Sequence, residues 1–560
     1  MRRSISMCRL KLPSRWLPPL LLACCLLILA GCNGSSRPEP NQDKTEQVSA
    51  REALAKKRLC SDNFLKIYQV LRPSPANVDA ELQSAQDLLN QWLLSCAEWS
   101  GREISPDAPE FQGHFDAEEI SDLNQRAASQ LDILFLRDQL LVRSLVEHVL
   151  QDVPTDAAKV RRVFEFVCRN VAHDEKLIHP LLLDPQTRDT LGPHSIPRSL
   201  QDICLTGRGT PEDRTWLLAA FLQQLNLKTL LIEAPASEPA VDARYRYLAV
   251  VPLDDSILIF SPGLGVEFRP AAEQWTPARL AGGWEEVFQG WPGNDPAALE
   301  LLAPLLSQDW AKGRVLLPYS ILQTSPRMAA MQLELVGDTV CEVSLPLSGE
   351  GGQPGLVDGL RAAVRDFLPD FRPVFWEYPQ VTYSRLVAKE PQAERLRQLA
   401  MATLFKEVVS VRSSEDQKEQ RVFTQNLEKR MLMARLDHLT GNHEEAISTY
   451  IKLRLQQGMA GDGPEIALEN LLRYLQAENA HYWSALAQFE NGDYRSAGDT
   501  LQNYLARYPE GNWVAPGREL WARALMNQGK REQAMQLLES DKAQGPERFW
   551  QLKLKSEPQH

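Results

Sequence analysis

The chain has 560 residues, 44% hydrophobic and 24% charged, an ordinary composition for a folded protein long enough for three or four domains. Its formal charge of −12, with no basic stripe interleaved with aromatics, argues against nucleic acid as a partner and against a polybasic membrane surface. Nine cysteines without a Cys-x-x-Cys pair argue against a structural zinc site, and no motif points to a metal or a cofactor.

Residues 1–31 carry Arg2, Arg3, Arg9, Lys11 and Arg15 and no acid. The apolar stretch from Trp16 to Ala30, broken by Pro18-Pro19, is shorter than the roughly 20 residues that cross a bilayer, so it reads as a secretory signal. Its end, Leu29-Ala30-Gly31-Cys32, is followed by the polar run Asn33-Gly34-Ser35-Ser36. This end resembles the lipobox of bacterial lipoproteins. The resemblance implies cleavage before Cys32, a lipid on its thiol, and an extracytoplasmic protein anchored to the membrane. Two or more acyl chains give a stable anchor. Residues 32–50, polar and with prolines, are expected to form a disordered tether.

Beyond Cys32 the cysteines are Cys60, Cys96, Cys168, Cys204 and Cys341. Cys60 and Cys96 lie in successive helical segments and can pair in an oxidising compartment, or serve as small core residues. A chain this large needs no staple, which favours the second reading.

Residues 51–150 carry apolar residues at helical spacing, at 63–71, 82–99 and 131–150. No chemistry stands out there, and His148 reads as a lone structural or solvated histidine.

Residues 151–290 change character. A helix over 156–167 leads into a loop rich in proline and histidine, 173–198. The turn Gly207-Arg208-Gly209 then feeds a helix from Thr210 through Leu222. Thr210 suits the N-cap, Pro211 the first helical position, and Asp213 the third residue of a capping box. Strands are expected at Thr229–Glu233, Tyr245–Val251 and Ser256–Phe260.

This stretch resembles the transglutaminase-like, papain-related fold. In that pattern Gly209 takes the family glycine, Pro211 the nucleophilic cysteine, Thr215 an alanine, and Leu217 and Phe221 the apolar contacts of the helix. Asn226-Leu227 forms the helix exit, and Asp213 matches an acid two residues after the cysteine. The family histidine falls on Tyr245, Arg246 or Tyr247, with Tyr247 preferred. The family aspartate falls on Ser261, before Pro262. The resemblance thus implies a degenerate triad, Pro211, Tyr247 and Ser261, with no catalytic residue. Proline offers no nucleophile. His173, His179 and His194 all precede the nucleophile position, the wrong order for the family. The alternative is a thiol-dependent peptide amide hydrolase or transferase that uses a relocated cysteine, Cys204 or Cys168. Against it, free cysteines are mostly buried.

Residues 291–425 read as a small α+β linking module, with a β-hairpin over 331–345 and a helix over 356–367. Trp376-Glu377-Tyr378-Pro379 reads as packing.

Within residues 426–545 a spacing recurs three times: Ala434, Gly441, Ala446, Tyr450; Ala485, Gly492, Ala497, Leu501; and Ala522, Gly529, Ala534, Leu538. It resembles the tetratricopeptide repeat, with an extra helical stretch around Pro464–Ala477 that interrupts the regular period. The resemblance implies antiparallel helical hairpins around a concave groove that binds proteins or peptides. The expected fold is therefore multidomain α+β: signal peptide 1–31, tether 32–50, helical segment 51–150, transglutaminase-like α+β core 151–290, linking module 291–425, C-terminal helical repeats 426–545 and tail 546–560. The expected function is an envelope-anchored protein-binding or peptide-binding scaffold.

Overall fold

The computed structural model describes residues 42–72, 82–99, 104–105, 108–111, 115–151, 153–174, 177–179, 182–183, 187, 192, 195–235, 242–254, 256–269, 287, 296–345, 347, 355–366, 368, 371–412, 419–425, 430–455 and 463–539. The signal, Cys32, His194 and the tail 546–560 lie outside them. The chain divides into two compact units between Leu59 and Cys60. In the first, the described part is the start of helix α1 (Gln42–Leu71), exposed over 51–59. Helix therefore begins inside the stretch expected to be a tether. The prolines that oppose it, Pro38 and Pro40, precede Gln42, and the following residues include good helix formers.

In the second unit, residues 60–71 of α1 meet α2 (Leu82–Ser95). Cys60 and Cys96 form a disulfide, Cα atoms 5.5 Å apart, which corrects the expectation of two unbridged core residues. The size argument concerned the whole chain, whereas this bridge fastens two helices locally. Closing a loop with a sequence separation of 36 adds about 4 kcal/mol in the chain-entropy account. Phe64 packs on Trp92 at 4.9 Å, and Trp92 Nε1 donates to Cys60 O at 3.2 Å.

Helices α3 (Ala117–Leu123), α4 (Gln130–Val149), α5 (Asp156–Asn170), α6 (Leu200–Thr206) and α7 (Pro211–Gln224) follow. Capping boxes start α3, α4, α6 and α7. Arg327, buried, pairs with Asp132 at 2.9 Å and donates to the carbonyls of Asp122, Leu123 and Gln125, which satisfies the end of α3. All residues of α7 are buried, with α4, α5 and α6 packed around it. A helix covered on every side needs apolar residues all round, and Trp216 through Leu222 supply them.

Short parallel strands β1 (Ala172–His173) and β2 (Arg208–Gly209) pair with each other. Six strands make the main sheet: β3 (Leu230–Glu233), β4 (Tyr247–Pro252), β5 (Ile257–Ser261), β6 (Val266–Phe268), β7 (Arg314–Leu317) and β8 (Val374–Phe375). Their order is β6-β5-β4-β3-β7-β8, antiparallel except for the β7–β8 pair. The three strands expected from the sequence are present. Residues 291–425, expected as a linking module, instead supply two strands to this same sheet.

That region also holds helices α8 (Pro296–Leu306), α9 (Pro326–Gln332), α10 (Leu356–Val364), α11 (Glu377–Ala388), α12 (Pro391–Ala400) and α13 (Ala402–Phe405), and the hairpin of β9 (Lys406–Arg412) with β10 (Glu419–Gln425). The hairpin expected over 331–345 does not form. Met331 and Gln332 end α9, and 337–339 is a 3-10 turn. Cys341 and Val343 are buried, but glutamine side chains take the place of a partner strand. Gln332 Oε1 accepts from Val343 N at 2.8 Å and Ser344 N at 3.1 Å, and Gln224 exchanges two bonds with the backbone of Glu342.

The C-terminal part is α14 (Arg430–Leu439), α15 (His443–Arg454), α16 (Pro464–Glu490), α17 (Tyr494–Arg507), α18 (Val514–Asn527) and α19 (Arg531–Glu539), each packed on the next. The three glycines of the recurring pattern end helices with φ of +90° at Gly441, +80° at Gly492 and +74° at Gly529. At each turn the following residue donates back across the helix end: Asn442 N to Asp437 O, Asp493 N to Gln488 O, Lys530 N to Leu525 O, at 2.8 to 2.9 Å. This is one glycine-ended cap used three times. The six pattern alanines are at most 2% exposed, so the helices approach closely. The extra stretch Pro464–Ala477 lengthens α16 at its start and leaves the stacking unbroken. One apolar core runs from Phe64 to Leu520, across the boundaries expected at 150, 290 and 425. No helix among the described residues is long and apolar enough to cross a membrane.

Candidate functional site

The start of α7 has the expected local chemistry. Thr210 Oγ1 accepts from Asp213 N at 3.2 Å, Asp213 Oδ2 accepts from Thr210 N at 2.8 Å, and Pro211 opens the helix. Asn226, at the expected helix exit, adopts φ of +55°. That conformation is open to asparagine.

Pro211, Tyr247 and Ser261 are all buried, but they do not converge. In the β4–β5 register Ala249 faces Phe260, so Leu248 and Ser261 share one face, while Tyr247, Ala249 and Phe260 share the other. Phe260 packs on Phe164 of α5 at 4.6 Å, so the second face is the one toward the helices. Ser261, fully buried, points away from it.

The ground in front of Pro211 is filled. Tyr378 donates to Asp213 Oδ1 at 2.9 Å, and Arg198 forms a buried ion pair with Asp213 Oδ2. Trp376 stacks on Tyr378 at 5.1 Å and meets Tyr247 edge-on at 5.3 Å, and Trp216 closes against Tyr378 at 6.1 Å. Burial and the neighbouring Asp213 push the Tyr378 hydroxyl well above its ordinary range. Glu233 holds Arg246 and Arg314 at 2.8 and 2.7 Å, next to Tyr247. The 376–379 segment is packing, as expected, and it covers the start of α7.

The relocated thiols are poor nucleophiles. Burial pushes Cys204 up to about 12 and raises Cys168 and Cys341 as well. The thiolate is the reactive form, and these environments suppress it. His173 is drawn down to about 3 by burial and by the positive charge of Arg214 and Arg244.

The repeat presents a different kind of surface. Arg435 of α14, fully buried, donates to Cys204 O at 3.0 and 3.2 Å and to Asn170 O at 3.2 Å, which caps the ends of α5 and α6. Asn170 Nδ2 donates to Glu490 Oε1 at 2.9 Å. On α16, Gln476 donates to Thr403 O and Asn479 to Thr403 Oγ1. Arg208, ion-paired with Asp174, lies over the Trp513 ring at 5.9 Å. A cavity of about 30 Å³ remains between Arg208, Thr206, Leu177, Leu399, Asn479 and Trp483, room for about two waters. One face of α14 and α16 is thus occupied by this chain's own residues.

Among the described residues, one group of metal-type ligands is present. His438, His443 and Glu490 bring ligand atoms within 4.8 Å of one another. Sequence spacing did not reveal it, because Glu490 lies 52 residues from His438 and meets it only through helix stacking.

A tetratricopeptide repeat family model matches residues 479–511, the second of the three pattern sets. No curated protein matches the chain, and no solved structure does.

Proposed function

We propose that this chain is a lipid-anchored protein of the bacterial cell envelope that serves as a protein-binding scaffold. The observation that carries the reading is the helical repeat: three identical glycine-ended turns, buried pattern alanines, and the tetratricopeptide match at 479–511. Stacked helical hairpins commonly bind proteins. The signal and Cys32 supply the address and anchor in this reading. Residues 151–290 act as an inert transglutaminase-like body. Helix order, the capped start of α7 and the left-handed Asn226 support that assignment, and the proline at 211 with suppressed thiols supports inertness.

Since the chain covers the face of α14 and α16, partners meet the repeat through side chains left outside, among them Leu455, Leu468 and Tyr474, 68%, 44% and 48% exposed. The test is affinity capture of the detergent-solubilised full chain, compared with a Leu468→Glu, Tyr474→Glu double variant. Recovery of the same proteins with the parent chain and their loss with the variant supports the reading. Absence of any reproducible partner rejects it.

A further inference from the structure

We propose that His438, His443 and Glu490, with His148 beside them, form a binding site for a single transition-metal ion of the imidazole-seeking class, zinc foremost. His438 lies in the last turn of α14 and His443 opens α15, on either side of the Gly441 turn. Glu490 ends α16. His148 comes from the last turn of α4, its ring centroid 5.4 Å from that of His443, and His443 stands 5.8 Å from His438.

The spacing suits a closing site. Zinc–nitrogen bonds of about 2.0 Å place tetrahedral ligands about 3.3 Å apart. The three ligand atoms already lie within 4.8 Å, so contraction by roughly an ångström or so completes the cluster. His438 Nε2 and Glu490 Oε2 are 3.1 Å apart.

A second observation points to a ligand. His443 is 8% exposed, and its Nδ1 is buried without a hydrogen-bond partner. A buried nitrogen left unsatisfied costs free energy that a metal would recover. Burial disfavours the protonated form of His438, His148 and His443, and the neutral ring is the form that offers a metal its lone pair. Glu490 is held well below the usual carboxylate range: its own burial opposes ionisation, and His438, Arg169 and Asn170 outweigh it.

The surroundings sort the metals. Asn170 fixes Glu490 Oε1 at 2.9 Å and leaves Oε2 toward His438. Such outer hydrogen bonds orient ligating groups. Arg435 lies 3.1 Å from His438 Nδ1 and Arg169 3.5 Å from Glu490 Oε1. These guanidinium groups oppose a dication held by charge alone, and a nitrogen-rich donor set is wrong for calcium or magnesium. Metal entry at His438 Nε2 moves the ring proton to Nδ1, and Arg435 then keeps Asn170 and Cys204 as acceptors. Glycine at 441 is required, since a Cβ there would stand 2.2 Å from His148 Cε1. The ion would clasp the repeat to α4.

The experiment uses the untagged full chain, stripped with chelator, and titrates it with Zn²⁺ by calorimetry and with Co²⁺ by visible absorption. One saturable equivalent with a ligand-field band is expected. His443→Ala, and separately His148→Ala, should keep the parent far-UV circular dichroism and bind at least about tenfold more weakly. No saturable binding overturns the proposal. So does binding that is unchanged in a folded His443→Ala chain.

Discussion

The hydroxyl of Tyr378 donates to Asp213 Oδ1 at 2.9 Å, across 165 residues of sequence. Asp213 also accepts from the Thr210 backbone and from Arg198, so the first turn of α7 is closed by a tyrosine that arrives from the far side of the sheet's last strand. Tyr378→Phe deletes a bond to a charged acceptor and leaves the ring stack on Trp376 intact. The expected loss is about 1.5–3 kcal/mol in urea unfolding. A loss below about 0.5 kcal/mol would mean that the stacked rings, rather than the bond, hold the plug.

Gly441 and Gly529 both sit at positive φ, but their surroundings differ. A Cβ at Gly529 meets open space, whereas one at Gly441 strikes the His148 ring. Gly529→Ala should cost about 1–2 kcal/mol, the backbone strain alone. Gly441→Ala should cost clearly more, because His148 must also move. Urea midpoints of the two variants, compared side by side, check the order.

Cys204, raised to about 12 by burial, should resist a thiol-reactive probe at neutral pH. Mass mapping of labelled peptides is expected to show no adduct at Cys204 in the native chain and full labelling in denaturant. Rapid native labelling would restore the thiol-enzyme reading.

Acid should weaken the fold. His438 and His481 are drawn down to about 4 and His173 to about 3, in each case chiefly by burial. An unfolded histidine takes its proton near pH 6.5. Between there and the folded value the unfolded chain holds more protons, so this stability is complete above about pH 6.5 and is lost as pH falls toward 4. Asp138 acts in the opposite sense: burial raises it to about 6, so the folded state gains from acid over that range. Five histidines are lowered, His148 and His443 included, against the raised carboxyls of Asp138, Glu342, Asp437 and Glu478, which gives a net fall in melting temperature between pH 7 and 4.5, read by calorimetry. His438→Gln should flatten the curve.

Local rules carried the sequence reading where the interactions were local. The Thr210–Asp213 capping box, the strands at 230–233, 247–252 and 257–261, and the glycine turns at 441, 492 and 529 each depend on residues within a few positions. Apart from the early start of α1 at Gln42, the misses depend on distance along the chain. Residues 339–345 were expected as one arm of a hairpin, but their backbone hydrogen bonds go to Gln332 and Gln224 side chains that no period announces. The Cys60–Cys96 bridge was one of two open options, and a size argument chose the wrong one. The Tyr378 plug and the His438–His443–Glu490 group come from helices that meet only in the folded chain. Ser261 shows the sharpest limit: one residue of register along a strand decides which face it occupies.

Strand β3 has neighbours on both sides, and one of them comes late. β4 is made shortly after it, but β7 begins only at Arg314, and β8 follows at Val374. A chain that has emerged into the folding compartment only as far as β6 therefore presents a sheet whose β3 margin, Leu230-Leu231-Ile232, is apolar and without its second partner. Bare margins of that kind recruit foreign strands. Aggregation of this protein should accordingly be decided while the roughly fifty residues between Phe268 and Leu317 have yet to emerge and pair.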